Sequence, residues 1–207
     1  MNCPDFENWQ SWAVRRPRPT LPSGRDFWVF GYGSLMWNPE VPHVEVRPAR
    51  VHGLRRTFCV YSMRYRGTPQ RPGLVLGLDR GGSCHGMTFR VPAAEAEAAL
   101  DLLWEREMVS GVYHPRFLSC RTPQGTVEAL GFVVDRRHPQ YCGHLALQEV
   151  AALIAQGEGQ RGRCCDYLAN TVAHLAEVGI RDRHLLRLLE EVSALQPNAE
   201  PPLSLRR

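Results

Sequence analysis

Two parts of the chain combine residue types that could do chemistry: a loop rich in glycine and serine, and a glutamate at the end of a helix. The loop belongs to the run FWVFGYGSLMW at residues 27–37, where an apolar strand ends in Gly31, Gly33 and Ser34. Both glycines allow positive φ and close approach of the backbone to a ligand. Successive backbone N–H groups could bind a carboxylate or phosphate, and the Ser34 hydroxyl could donate or accept beside them. The alternative is a tight glycine turn between two core strands.

The loop does not match the common phosphate-binding motifs. A Walker A loop needs a Lys-Ser or Lys-Thr pair after its last glycine, where this chain has Leu35 and Met36. A dinucleotide loop, G-x-G-x-x-G, would need glycine at position 36. The sequence therefore favours a small carboxylate over a pyrophosphate as the anion held here.

A titratable partner for this loop is predicted at the end of the first long helix. Leu100, Leu103 and Trp104 recur at helical spacing, and Glu107 continues that apolar stripe, whereas Glu105 falls off it. Burying an unpaired glutamate is costly. Glu107 is therefore either paired with an arginine at a solvated helix end or kept for proton transfer.

Composition limits the class of protein. The chain has 207 residues, 43% hydrophobic content and a formal charge of +4, which fits one packed domain and argues against a dedicated nucleic-acid binder. The N-terminus does not read as a secretory signal, and no run is long enough to span a bilayer. The seven cysteines lack C-x-x-C spacing, and the histidines lack H-E-x-x-H. We therefore expect reduced thiols, no metal and a cytoplasmic protein.

The order of elements indicates an α+β domain. Strand-like runs are separated by turns predicted at Arg66–Pro69 and Asp79–Gly82, and the Pro-Gln-Gly turn at 123–125 predicts a hairpin. The predicted strands are 27–30, 51–61, 74–78, 86–91, 116–121 and 127–134. The predicted helices are 93–107, 145–155, 165–178 and 182–195. Residues 1–25 are expected to form a loosely structured arm, 26–195 a single domain and 196–207 a tail.

Together, several separated motifs resemble the ChaC family of glutathione-specific γ-glutamylcyclotransferases. The resemblance runs from about Phe27 to about Val192. It is carried by VFGYGSLMW at 29–37, LRRTF at 54–58, RGTP at 66–69 with PGLVL at 72–76, REM at 106–108 with GVY at 111–113, YLANT at 167–171 and GIRD at 179–182.

The resemblance implies a small, mostly antiparallel or mixed β-barrel flanked by helices, with a helical C-terminal third. It also implies that the α-amine of a γ-glutamyl group attacks its own γ-carbonyl, which gives 5-oxoproline and, from glutathione, Cys-Gly. Glu107 matches the family's catalytic glutamate, a general base and then a general acid. The implied substrate-binding residues are Gly31, Tyr32, Gly33, Ser34, Leu35, Met36 and Tyr113, with core packing as the alternative role for Tyr113. Ser34 is not a nucleophile.

The remaining expectations follow from the same resemblance. Glutathione would be the small-molecule substrate, no cofactor or metal would be needed, and neither nucleic acid nor a membrane would be a partner. We expect a monomer. Two alternatives stay open: a cyclotransferase for another γ-glutamyl amide or peptide, and a non-catalytic γ-glutamyl-binding or regulatory protein.

Overall fold

A computed structural model describes residues 5–196. The chain divides into two compact units. The first, here called the barrel unit, comprises residues 13–56 and 77–135, and the second, the helical unit, comprises the described parts of 1–12, 57–76 and 136–207. The expected boundaries of arm, single domain and tail stay a prediction, and all of the tail except Gln196 lies outside the described residues.

Five strands form a closed, mixed barrel. They are β1 (Phe27–Gly31), β2 (Glu45–Ser62), β3 (Gly73–Val91), β4 (Tyr113–Thr122) and β5 (Gly125–Val134). The order around the barrel is β1-β3-β2-β4-β5, and β5 pairs with β1 to close it. β3 makes an additional pairing with β5 at Leu78↔Val133. Closure removes the open sheet edges that would otherwise expose unpaired backbone groups. The predicted small barrel is confirmed.

The register of β1 aligns the strand that leads to the candidate loop. β1 runs antiparallel to β3, from Phe27↔Val91 to Gly31↔Met87, and parallel to β5 at Trp28↔Ala129 and Val29↔Leu130. Phe27, Val29 and Phe30 are buried, Phe30 fully so, and Trp28 is half-buried. The loop after β1 therefore starts from a strand held on both sides.

The long strand β3 contradicts one turn predicted from the sequence. Residues Asp79–Gly82 lie within β3, although Gly81 and Gly82 take positive φ (104° and 67°). Asp79 is buried; its side chain accepts a 2.8 Å hydrogen bond from the amide of Arg80. The glycines thus absorb a local irregularity without ending the strand, because glycine takes this conformation at little steric cost. The hairpin between β4 and β5 is confirmed, with Thr122↔Gly125 as its last pair.

Helix α1 (Ala96–Glu107) follows β3 in the barrel unit. A short 3₁₀ turn at Ala93–Glu95 precedes it, so the predicted helix at 93–107 is confirmed with a tighter first turn. Its buried residues, Ala96, Ala99, Leu100 and Leu103, form one face. This face orients the last turn of the helix, which carries Glu107.

The helical unit contains α2 (Leu147–Gln156), α3 (Cys164–Glu177) and α4 (Arg183–Ala194). The two-residue strands β6 (Glu158–Gly159) and β7 (Gly162–Arg163) lie between α2 and α3. Ile154, Leu168, Leu175, Leu185 and Leu188 are fully buried, which is the apolar face that helical periodicity predicts for each helix. The predicted helical C-terminal third is confirmed.

Candidate active site

The loop after β1 turns at once into a single 3₁₀ turn, Ser34–Met36. The Met36 amide donates to the Gly33 carbonyl at 2.8 Å, and the Asn38 amide donates to the Ser34 carbonyl at 2.9 Å. The amides of Gly33, Ser34 and Leu35 precede the first hydrogen bond inside this turn. Amides at the start of a helical turn are the groups that a bound anion or solvent satisfies.

Neither glycine of this loop has positive φ, and Gly31 is needed for close packing. Gly33 has φ of −135°, and Gly31 is not among the glycines with positive φ, so neither uses the positive φ that glycine allows. A Cβ at Gly31 would lie 3.1 Å from the Leu35 backbone. A Cβ at Gly86, on β3, would lie 2.2 Å from the Gly31 carbonyl oxygen. The missing side chains let the loop fold back on the end of β1.

Most side chains of the loop point away from solvent. Tyr32, Leu35 and Met36 are buried, and the Tyr32 hydroxyl donates to the Phe132 carbonyl at 3.0 Å. Ser34 is half-buried. Among residues 31–36, Ser34 is therefore the one that is partly exposed.

A buried arginine supports this loop. Arg56, on β2, is 5% exposed. Its Nε donates to the Tyr32 carbonyl, and its Nη2 donates to the His85 carbonyl and contacts Met36 Sδ at 3.6 Å. The guanidinium thereby ties the loop to β3. Arg56 belongs to the LRRTF motif at residues 54–58, but no role for it was predicted from the sequence. The available signal for a buried, paired arginine was its position just before the apolar run Phe58–Val60.

Glu107 ends α1 with its side chain 17% exposed, whereas Glu105 is exposed. The prediction that only one of these carboxylates continues the apolar stripe is therefore correct. Trp104 lies at the edge of that stripe and is half-buried. The Met108 amide donates to the Trp104 carbonyl at 3.0 Å and closes the helix.

A single guanidinium joins Glu107 to the loop. Arg106 Nε lies 3.2 Å from Glu107 Oε1, and Arg106 Nη2 donates to Ser34 Oγ at 2.8 Å. Pairing with an arginine and a role in proton transfer are thus not exclusive for Glu107. Its carboxylate pairs with Arg106, and Arg106 in turn contacts Ser34 of the loop. This arginine directly precedes Glu107 in the chain.

Tyr113 is placed at the start of β4, where it pairs with Val134 of β5 and is 8% exposed. Its ring is therefore part of the packed barrel unit. Among residues 5–196, no three His, Cys, Asp or Glu side chains are grouped so that they could hold a metal ion. Within that same range, no helix is both long and apolar enough to cross a membrane.

Comparison with known proteins adds a relationship over most of the chain. A family model described as ChaC-like protein matches residues 27–195. The glutathione-specific gamma-glutamylcyclotransferase of Escherichia coli is 39% identical over 169 residues, which cover 81% of this chain and 73% of that protein. The mouse glutathione-specific gamma-glutamylcyclotransferase 1 is 31% identical over 188 residues, 86% of this chain and 84% of its own.

A solved structure shows the same fold. The crystal structure of a yeast γ-glutamyl cyclotransferase specific to glutathione superposes with a TM-score of 0.77. It covers 86% of this chain and 100% of its own, at 22% sequence identity.

Proposed function

The chain belongs to the ChaC-like family, and from this we propose that it is a γ-glutamylcyclotransferase that acts on glutathione. The observation that carries the proposal is the Arg106 contact, which brings the one inward-facing carboxylate of α1 to the loop after β1. The substrate is a small molecule. A monomeric, cytoplasmic protein remains a prediction.

The reaction needs no nucleophile from the protein. The α-amine of the γ-glutamyl group attacks its own γ-carbonyl, the C–N bond to cysteine breaks, and 5-oxoproline and Cys-Gly leave. One amide replaces another, so the step involves no net oxidation or reduction. Well-oriented intramolecular attack reaches effective molarities on the order of 10⁵ M or more. The protein's main task is to hold the γ-glutamyl chain folded.

The loop is suited to that task. The amides of Gly33, Ser34 and Leu35 and the Ser34 hydroxyl would donate to the α-carboxylate of the γ-glutamyl group or to the oxygen that becomes negative at the γ-carbon. Tyr32, Leu35 and Met36 are buried and hold the loop in shape. Tyr113 would contribute through packing of the barrel wall, which sets the position of β4.

Glu107 would move the protons. The attacking amine is an ammonium group at neutral pH and must lose a proton, and the departing peptide nitrogen must gain one. A single carboxylate can accept the first and return the second. General acid–base catalysis of this kind contributes on the order of 10²- to 10⁴-fold in rate.

The proposal is tested by incubating the purified chain with reduced glutathione and measuring 5-oxoproline and Cys-Gly, with and without EDTA. We expect both products in equal amounts and no effect of EDTA. Glu107→Gln should lower kcat on the order of 10²- to 10⁴-fold, whereas Glu105→Gln, a matched change on the exposed side of the same helix, should retain wild-type turnover. Turnover by Glu107→Gln at the wild-type rate would remove this residue from the mechanism.

The same assay separates the remaining alternatives. Turnover of γ-glutamyl amino acids in preference to glutathione would indicate another γ-glutamyl compound as the substrate. Saturable binding of glutathione without any product at high protein concentration would indicate a binding or regulatory protein.

A further inference from the structure

Arg106 makes an unusual number of contacts for one side chain in the last turn of a helix. Its guanidinium lies 3.2 Å from Glu107 Oε1 through Nε and 2.8 Å from Ser34 Oγ through Nη2. Its Nη1 donates to the Asn38 carbonyl at 2.6 Å and to Glu40 Oε2 at 2.9 Å. The Arg106 side chain is 12% exposed, whereas that of Glu40 is 54% exposed, so the bonds to Ser34 and Glu107 are better shielded from solvent than the bond to Glu40.

We propose that Arg106 is a positioning residue for the cyclisation. This inference rests on the proposed function. Arg106 fixes the Glu107 carboxylate relative to the loop and makes the Ser34 hydroxyl a donor toward the γ-glutamyl group. Neither role requires Arg106 to touch the substrate.

The argument for Ser34 follows from its hydrogen-bonding capacity. A serine hydroxyl has one hydrogen and two lone pairs, and a guanidinium can only donate. Arg106 therefore occupies a lone pair of Ser34 Oγ and leaves the hydroxyl hydrogen for another acceptor. In the proposed complex that acceptor is an oxygen of the γ-glutamyl group, either its α-carboxylate or the developing oxyanion.

A second observation comes from the far end of the same loop. Glu40 has φ of 54° and is the one residue other than glycine with positive φ in the described part of the chain. Its carboxylate accepts from Asn38 Nδ2 at 2.8 Å and from Arg106 at 2.9 Å. A strained backbone of this kind persists only where surrounding contacts hold it, and it is concentrated at functional sites. Arg106 thus holds residues 34–40 at both ends.

The contact set also explains why the residue is arginine. The planar guanidinium presents five N–H groups in fixed directions, so it can meet a hydroxyl, a carbonyl and two carboxylates at once. A lysine at the same position has three N–H groups on a single nitrogen at the end of a flexible chain, so it could bond to only some of these four partners.

The test compares Arg106→Lys and Arg106→Ala with wild type, using kcat and KM for glutathione and thermal unfolding. We expect each variant to lose on the order of 10²-fold in kcat/KM, mostly in kcat, because displacement of a catalytic group by about 1 Å has that effect. Guanidinium ion added to Arg106→Ala should restore part of kcat. Arg18→Gln is the matched control, since Arg18 pairs with the same helix through the exposed Asp101, and it should keep the kcat and KM of wild type.

The coupling to Ser34 is measured with Ser34→Ala alone and combined with Arg106→Lys. If Arg106 acts through Ser34, the double variant loses less than the product of the two single losses. Values of kcat/KM within threefold of wild type for Arg106→Lys would overturn the inference, as would fully multiplicative losses. An active wild type with an inactive Glu107→Gln would leave the proposed function standing in either case, whereas an inactive wild type would end both.

Discussion

Arg16 Nη2 lies 2.6 Å from Asp135 Oδ2, with both side chains about 15% exposed. Arg16 Nε also donates to the Gly111 carbonyl at 2.9 Å, and the Val14 amide donates to the Ser110 carbonyl at 3.0 Å. The N-terminal arm therefore contacts the segment that follows Glu107. This finding gives residues 13–18 a structural role that their proline- and arginine-rich composition did not predict.

Loss of this ion pair should destabilise the protein measurably. Arg16→Gln removes a charged, largely buried donor from Asp135 and from the Gly111 carbonyl, and hydrogen bonds of this kind contribute about 2 kcal/mol. We expect a reduction of that size in the free energy of unfolding, measured by urea denaturation. Arg18→Gln breaks an exposed pair with Asp101 and should cost about 1 kcal/mol or less. Equal losses in the two variants would contradict the structural role of Arg16.

Gly111 is predicted to be intolerant of any side chain. It has φ of 70°, and a Cβ would lie 1.9 Å from the Val14 carbonyl oxygen. Gly111→Ala therefore combines left-handed strain of roughly 1–2 kcal/mol with displacement of the arm. Gly53→Ala has the same kind of strain, with φ of 79°, but no atom within 4 Å of its Cβ. Denaturation should show the larger loss for Gly111→Ala, and the reverse order would refute the clash.

Stability should fall as pH drops below about 6.5, the ordinary pKa of histidine. Burial and the Arg16 charge lower the pKa of His114, and these outweigh the opposing effect of Asp135, 3.2 Å away. His114 binds its proton less tightly in the folded protein than in the unfolded chain. Its contribution to stability is therefore complete above the pKa it has in the unfolded chain, and it is lost as the pH falls through the pKa it has in the folded protein. His85 contributes in the same direction, since burial and Arg50, Arg56 and His52 lower its pKa.

The His114 contribution can be isolated by urea denaturation at pH 7.5 and pH 5.5. We expect His114→Gln to show a smaller drop between these conditions than wild type. Arg16→Gln should also reduce the drop in stability, because the Arg16 charge is one of the causes that lower the pKa of His114. The charge of Arg116, which also lowers this pKa, remains in that variant. A drop of unchanged size in His114→Gln would assign the pH dependence to other groups.

Two cysteines should resist thiol reagents in the folded protein. Burial raises the pKa values of Cys120 and Cys164 to about 12, and Cys164 Sγ donates to the Leu74 carbonyl at 2.9 Å. The thiolate is the reactive form, so alkylation at pH 8 followed by mass spectrometry should modify Cys142, which is half-buried, before either of them. All should react after denaturation. Early labelling of Cys164 would contradict its burial.

Several local features followed from the sequence because they depend on neighbouring residues. Helical spacing placed Glu107 on the apolar stripe and Glu105 off it, and the pattern of apolar runs predicted the strands of the barrel. The turn predicted at Asp79–Gly82 was wrong because two glycines also fit an irregular strand. Gly31 and Gly33 allow positive φ but do not take it, and Gly31 is required by packing instead.

The contacts that assemble the candidate site join residues far apart in the chain. Ser34 and Arg106 are 72 residues apart, and Arg56 and His85 are 29 apart. No periodicity or turn signal reports such pairs, because they depend on the register of β1 against β3 and on the face that α1 buries. Arg16 and Asp135, 119 residues apart, are a further case.

By itself the sequence determined the family resemblance, the types of element and their order, and the identity of a loop and a carboxylate suited to cyclisation. These depend on residue type and local spacing, which the chain carries directly. Only the tertiary structure decided that the Arg106 guanidinium connects Glu107, Ser34 and Glu40. It also decided that Arg56 bonds to the carbonyl of Tyr32 in the loop and that the arm contacts the segment after α1. These contacts depend on the register of the strands and on the face that α1 buries, which join segments distant in the chain and are not encoded in any one segment.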